Sequence, residues 1–257
     1  MNEIIEILSG FKSVSLNEMD NVKLMNRTDT KFFFNFDKLK NILTEAKEKY
    51  NILEIEKKRI LSYKTLYFDT ENFGLYTAHQ NGKLNRYKIR HREYIDSKIS
   101  FFEIKFKSNK GRTIKKRIKR PKIEETFDDK SKKFLINNST LSPNELKPKL
   151  YNNFSRITLV GKNKPERITI DINLGYKTQK KEINLPFMVI AEVKKDGYSN
   201  SSDIMKILHK NKIYPKGFSK YCTGIILTNN NIKYNRFKQK LLTINKISND
   251  KFNAFAW

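Results

Sequence analysis

The sequence predicts an α+β fold: an antiparallel β-barrel with helices packed on its outside. Three observations carry that expectation. About nine strand-like segments of period two run along the chain, most joined as hairpins rather than by crossover helices. Amphipathic helical segments fall between them and need a sheet face to cover. On strand after strand one face is basic and the other apolar, most clearly in Arg86-Tyr-Lys88-Ile-Arg90-His-Arg92-Glu-Tyr94. Alternate residues of a strand share a face, so Lys88, Arg90 and Arg92 stand side by side.

The elements are expected in the following order. Residues 1–25 form a short N-terminal helical segment, in which Ser15-Leu-Asn-Glu18 has capping-box spacing. A first strand covers Asp29 to Phe36, with Phe32 and Phe34 on one face and Lys31 and Phe33 on the other. Asp37 caps a helix to about Tyr50, whose Leu39, Ile42, Leu43 and Ala46 keep helical spacing. Strands follow at Leu61–Asp69, Lys83–Tyr94, Ile99–Lys107 and Arg112–Lys119, with turn chemistry at Asn81-Gly82 and Lys110-Gly111. Residues 120–150 are polar and read as helix and loop, with a helix start at Ser142-Pro-Asn-Glu145. Strands resume at Ser155–Val160, Glu166–Ile172 and Pro186–Lys194. A helix spans Ser202–His209, a last strand Tyr221–Leu227, and a basic amphipathic tail helix reaches about Ile247. Three parts result: 1–25, a main domain over 26–228, and a tail over 229–257.

Composition narrows the partners. The chain has 257 residues, 38% hydrophobic and 12% aromatic, enough for a sizeable core. Its 53 Lys and Arg against 27 Asp and Glu give a formal charge of +26, which points to an anionic partner. Cys222 is the only cysteine, so no intramolecular disulfide forms and a reducing cytoplasm fits. Three histidines and one cysteine argue against a zinc cage. No apolar run is long enough to span a bilayer, so membrane association would need the basic surface or a membrane-protein partner. Phosphate-loop and kinase motifs are absent, as is any Ser/His/Asp or Cys/His set.

Alternation leaves the inside of the barrel open. Lys88, Arg90, Arg92, Glu103, Lys105, Lys115, Arg117, Arg156, Arg167, Asp171, Glu192 and Lys194 share one set of faces; Ile89, Phe102, Ile104, Ile157, Leu159, Ile168 and Ile170 share the other. Either the apolar faces meet inside and the charges are solvated, or the apolar faces meet the helices and the charges line a lumen. Carboxylates recurring at Glu103 and Glu192 on the basic face, as if to hold a metal, favour the lumen.

Several short motifs then occur in a telling order: Arg27-Thr-Asp-Thr-Lys31-Phe, Tyr67-Phe-Asp69, Arg90-His-Arg92-Glu-Tyr94, Phe102-Glu103-Ile-Lys105, Arg167-Ile-Thr-Ile-Asp171, Ala191-Glu192-Val-Lys194 and Phe218-Ser-Lys220-Tyr. Over roughly residues 20–227 this resembles the VTC (vacuolar transporter chaperone) polyphosphate polymerase domain, of the triphosphate tunnel metalloenzyme or CYTH-like superfamily. The resemblance implies a tunnel of about eight antiparallel strands with helices outside, and ATP and inorganic polyphosphate as substrates. It implies that Arg90, Arg92, Arg156 and Arg167 act on the transferring phosphoryl group. It makes Lys31, Lys88, Lys105, Lys115, Lys216 and Lys220 phosphate-binding, and Glu192 with Glu103 ligands of Mn²⁺ or Mg²⁺. Lys216-Gly-Phe-Ser-Lys220 carries an inserted Gly217 relative to the family pattern, which weakens the match of Lys216. Lys116, Lys119 and the tail lysines read as solvated charges.

Three other readings compete. Hydrolytic tunnel enzymes open their first strand with Glu-x-Glu-x-Lys; here that strand reads Arg27-Thr-Asp-Thr-Lys31, and the literal Glu54-Ile-Glu56-Lys-Lys58 follows the first long helix. Asp171 with Glu192-Val-Lys194 meets a loose nuclease pattern, on the wrong kind of sheet. A nucleic-acid-binding module would explain the charge, yet no recognised nucleic-acid motif accompanies it.

Overall fold

The computed structural model describes residues 1–21, 27–197, 202–249 and 252–255. Residues 22–25 of the expected N-terminal segment and residues 250, 251, 256 and 257 of the tail lie outside them. In chain order the elements are α1 (Asn2–Ser9), β1 (Ser13–Val14), α2 (Leu16–Asn21), β2 (Arg27–Asn35), α3 (Leu39–Ala46), β3 (Tyr50–Leu53), β4 (Leu61–Thr70), α4 (Gly74–Gln80), β5 (Arg86–Tyr94), β6 (Ile99–Lys107) and β7 (Thr113–Arg120). There follow α5 (Asp129–Asn138), β8 (Leu146–Gly161), β9 (Glu166–Lys177), β10 (Glu182–Leu185), β11 (Met188–Asp196), α6 (Asp203–Lys210), α7 (Lys220–Thr228) and α8 (Lys238–Ile247).

Eight strands form one antiparallel path in the order β2-β11-β9-β8-β4-β5-β6-β7. β10 extends from β9, and a short parallel pair of β1 and β3 joins through β8. The antiparallel α+β class is as the sequence indicates. Among the described residues, however, β7 and β2 do not pair, so the ladder is open along one side. Both open edges carry inward lysines, Lys31 on β2 and Lys115 on β7.

Helices decide which face is inside. The apolar faces of β2, β8, β9 and β11 (Phe32, Ile157, Leu159, Ile168, Ile170, Val193) pack with Ile4 and Leu8 of α1, Leu39 and Leu43 of α3, and Ile204 and Leu208 of α6. The apolar faces of β4, β5 and β6 (Leu66, Phe68, Ile89, Phe102, Ile104) pack with Leu135 of α5. The basic faces therefore turn inward. At one end of the lumen the inner face becomes apolar at Phe33, Tyr67, Leu174, Tyr176 and Ile190; α7 and α8 cover it with Tyr221, Ile225, Leu241 and Ile244.

The clearest departure from sequence expectation is α7, where a strand is expected at Tyr221–Leu227. Every residue from Tyr221 to Thr228 is buried, so the segment shows no amphipathic period to mark it as helical. The cap tells more: the Ser219 side chain accepts the backbone N–H of Cys222. Gly224 lets α7 lie flat on the sheet, since a Cβ there would come within 2.5 Å of Leu150 and Tyr176 side-chain atoms. The helix expected from Asp37 to Tyr50 is a 3-10 turn at Phe36–Lys38 followed by α3, and Tyr50 already belongs to β3. β8 runs 16 residues rather than six, because Pro148 and Asn152-Asn153 mask its start in the sequence. Ser142-Pro-Asn-Glu145 makes only a 3-10 turn. The capping box at Ser15 forms: Glu18 accepts the Ser15 backbone N–H at 2.7 Å. No helix among the described residues is long and apolar enough to cross a membrane.

Candidate functional site

Register brings the basic ladders of separate strands into one belt. Arg90 stands opposite Glu103, Lys88 opposite Lys105, and Lys105 opposite Lys115. Across the lumen, Arg156 stands opposite Asp171 and Glu192 opposite Lys31. The sequence-expected residues thus occupy one inward surface, except that Lys216 comes from the segment before α7 and lies beside β2, its backbone N–H donating to the Lys31 carbonyl at 2.8 Å.

Three carboxylates hold parts of this belt. Glu103 is fully buried and accepts from Arg90 Nε at 2.6 Å, with Lys115 on its other oxygen. Despite burial, those cations hold its carboxyl down at about 2. Asp171 takes a bidentate fork from Arg156, at 2.6 and 2.9 Å, and a short contact from Lys220. Its carboxyl is held well below the usual range, against burial, by these two partners. Glu192 lies 2.6 Å from Lys31 and 3.5 Å from Lys194, and its carboxyl sits at about 2.

Among the described residues, Arg92, Lys88 and Lys105 have no such carboxylate partner. Arg92 is 7% exposed; its Nε donates to Thr65 Oγ1 at 3.0 Å, and among the described residues no carboxylate pairs with it. Its guanidinium lies 5.4 Å from the Phe154 ring and 5.9 Å from that of Tyr63. Burial and the neighbouring Arg90 push its pKa down to about 10. Lys88 donates only to Ser219 Oγ, at 3.2 Å, and burial lowers it to about 8. Lys105 is pushed well below the ordinary lysine range, by Arg90 first and then by burial. Lys220 also falls to about 8, burial outweighing Asp171. A buried cation without a counter-ion is costly, and an anion in the lumen relieves it.

Two cavities lie at opposite ends of β5. One, of about 400 Å³, is bounded by Tyr63, Tyr94, Phe101, Arg117, Arg156 and Arg167 among others. Arg167 also donates to the Met19 carbonyl at 2.7 Å. The other, of about 520 Å³, is bounded by Lys31, Arg86, Lys88, Lys107, Lys216 and Lys240 among others. Arg90 and Arg92 lie between them along the strand.

Glu103 and Glu192 are each engaged by cations of the belt. Among the described residues no three Asp, Glu, His or Cys side chains group to hold a cation. Glu103 is the fully buried counter-ion of Arg90 and Lys115. Glu192, at 19% exposure, is the accessible carboxylate. A single carboxylate fits Mg²⁺ or Mn²⁺ arriving with a phosphate chain, since such ions are held by one or two carboxylates plus phosphates and water.

What the sequence leaves without a role is the partners, Asp171 on the basic face among them. Asp171 anchors both Arg156 and Lys220. Tyr63 and Phe154, stacked at 5.0 Å, form the aromatic wall under Arg92 and Arg156. The alternation Phe154-Ser-Arg156 contains the signal for Phe154; nothing local marks Tyr63.

A basic, half-compensated lumen inside an open antiparallel ladder is the site's main feature, and the family comparison concerns the stretch that builds it. The model of the VTC domain matches residues 26–229, and the chain belongs to that family. No curated protein sequence matches. Among solved structures, a candidate adenylate cyclase from Bacillus halodurans is similar at 13% identity with a TM-score of 0.44, over 76% of this chain and 96% of that one. One from Vibrio parahaemolyticus gives 11% and 0.43 over 76% and 96%. A candidate adenylyl cyclase from Hippeastrum, described as having a dominant triphosphatase activity, gives 12% and 0.42 over 78% and 95%. At such scores the family assignment rests on the sequence match alone.

Proposed function

We propose that the chain is a polyphosphate polymerase that transfers the γ-phosphoryl group of ATP to the end of a growing polyphosphate chain in the lumen. One observation carries this reading most: Arg92 is buried, unpaired by any carboxylate among the described residues, and ringed by Arg90 and Lys105. Family membership supports the phosphate chemistry.

The attacking group is a terminal phosphate oxygen, already ionised near neutral pH, so no general base is needed. The two histidines in the strand-and-helix body near the site fit that requirement. His79 and His91 are both held neutral by burial, and His91 sits on the outward face against Phe102. The side chains instead position and neutralise. Arg90 and Arg92 present fork geometry to the γ-phosphoryl oxygens. Lys88, Lys105 and Lys115 spread charge along the chain. Arg156, pre-oriented by Asp171, and Arg167 approach from the facing wall. Charge spreading over equatorial oxygens in the transition state then meets donors already in place. Glu192 would hold Mn²⁺ or Mg²⁺ jointly with the phosphates, and that ion would neutralise oxygen charge as the bond breaks. Lys216 and Lys220 would complete the phosphate contacts at the α7 end.

The test is purified protein with γ-labelled ATP and Mn²⁺, its products resolved on a gel beside an Arg90→Ala/Arg92→Ala double variant. A ladder in wild type alone is expected. Free phosphate alone would make the protein a tunnel hydrolase, and no turnover would leave a polyanion-binding module.

A further inference from the structure

The two cavities are chemically unequal, and the inequality gives the lumen a direction. The cavity at the Arg86 end of β5 is lined by lysines and arginines. The cavity at the Tyr94 end also carries Arg117, Arg156, Arg167 and Lys194, but it adds what the other lacks, a wall of Leu16, Leu53, Leu61 and aromatic rings. Those rings form a continuous run. Phe101 meets Tyr94 edge-on at 6.0 Å, Tyr94 meets Tyr63 at 5.0 Å, and Tyr63 stacks on Phe154 at 5.0 Å. Cations sit at both ends of the run. The Arg117 guanidinium lies 4.3 Å over Phe101 at the outer end, and Arg156 lies 5.0 Å from Tyr63 at the inner end.

We propose that the Tyr94-end cavity receives the nucleoside half of the ATP donor, so that the triphosphate points inward to Arg92 and the polymer occupies the basic end. The inference rests on the reading above and adds the orientation of its substrates. A bare phosphate chain gains nothing from leucines and rings, whereas a purine gains from each: rings and a guanidinium plane are the surfaces on which bases stack. The volume, about 400 Å³, is within the usual range for small-molecule sites. Tyr94 and Phe101 are both part-exposed, and Arg117 covers one face of Phe101. The lysine-lined end has the opposite chemistry and suits a uniform polyanion.

Calorimetric titration separates the two ligands. A non-hydrolysable β,γ-imido ATP analogue and inorganic tripolyphosphate are each titrated into wild type and into a Tyr94→Ala/Phe101→Ala variant. The variant is expected to lose roughly ten-fold or more in affinity for the nucleotide, as loss of base stacking implies. Its tripolyphosphate affinity is expected to stay within about two-fold of wild type. Tyr94→Phe/Phe101→Tyr should restore nucleotide binding. Unchanged affinities, or equal losses for both ligands, would overturn the inference while leaving the phosphate lumen standing. Failure of wild type to bind either ligand would overturn the lumen reading and the inference together. Photolabelling of wild type with 8-azido-ATP gives an answer that does not depend on a folded variant. Label on the peptide holding Tyr94 and Phe101 supports the orientation, and label on the peptide holding Lys107 and Thr113 contradicts it.

Discussion

Arg92 and Glu103 occupy the same belt yet serve opposite ends. Glu103 is fully buried and neutralises the buried Arg90 and the part-exposed Lys115, so Glu103→Gln leaves two cations without their shared counter-ion. Loss of one partner from a buried pair costs about 3–5 kcal/mol, and thermal melting of the purified variant is expected to fall by several degrees. Arg92 has no such counter-ion. Arg92→Ala should therefore melt at or above wild type while turnover drops roughly 10²-fold, the loss expected for one transition-state donor. Wild-type turnover in that variant would remove Arg92 from the mechanism. Titration offers a third check. Lys88 and Lys220 are lowered to about 8, below the ~10.4 of an unfolded lysine, so the unfolded chain holds more protons between these values. Stability from these two groups then rises with pH from about 8 to 10.4. Phosphate binding runs the other way, needing both lysines charged. The melting shift produced by tripolyphosphate should shrink between pH 7 and pH 9.5, and a shift that grows would contradict the assignment. The basic ladder itself was readable in the sequence, because period two is a local property. The pairing of Asp171 with Arg156 and Lys220 was not, since it depends on register between β8 and β9 and on where α7 begins.

At the scale of elements, α7 is the one that sequence periodicity misassigns and the one that closes the lumen. Its position is fixed by Asp69, at the end of β4. Asp69 is fully buried and accepts the backbone N–H groups of Leu75 and Tyr76, both at 2.8 Å, and the Tyr221 hydroxyl. One carboxylate thereby caps α4 and tethers α7, which in turn places Ser219 against Lys88 and Lys220 against Asp171. The motif Tyr67-Phe-Asp69 was visible in the sequence, but its partners lie in a helix that was read as a strand. Asp69→Ala orphans three buried donors, each costing about 1–3 kcal/mol. The variant is expected to melt well below wild type. Gly224→Leu should do the same by wedging α7 off Leu150 and Tyr176, and an unchanged melting temperature there would place α7 differently.

For the whole molecule, an open antiparallel ladder wraps its basic faces inward because helices occupy the outside on both flanks. Alternation alone does not decide that choice, and in the sequence only the carboxylates Glu103 and Glu192 on the basic face and the helices in need of a sheet to cover favour the lumen. What tips it is the burial of amphipathic helices α1, α3, α5 and α6 on the apolar faces, a long-range fact. The central claim is that this lumen is a binding site for a phosphate chain, and calorimetric titration of tripolyphosphate into wild type and Arg90→Ala/Arg92→Ala tests it most directly. Tight binding in wild type that weakens steeply with added salt, and is lost in the double variant while its melting shows a folded protein, is the predicted result. Equal affinities in the two proteins, or no binding by wild type, would contradict it.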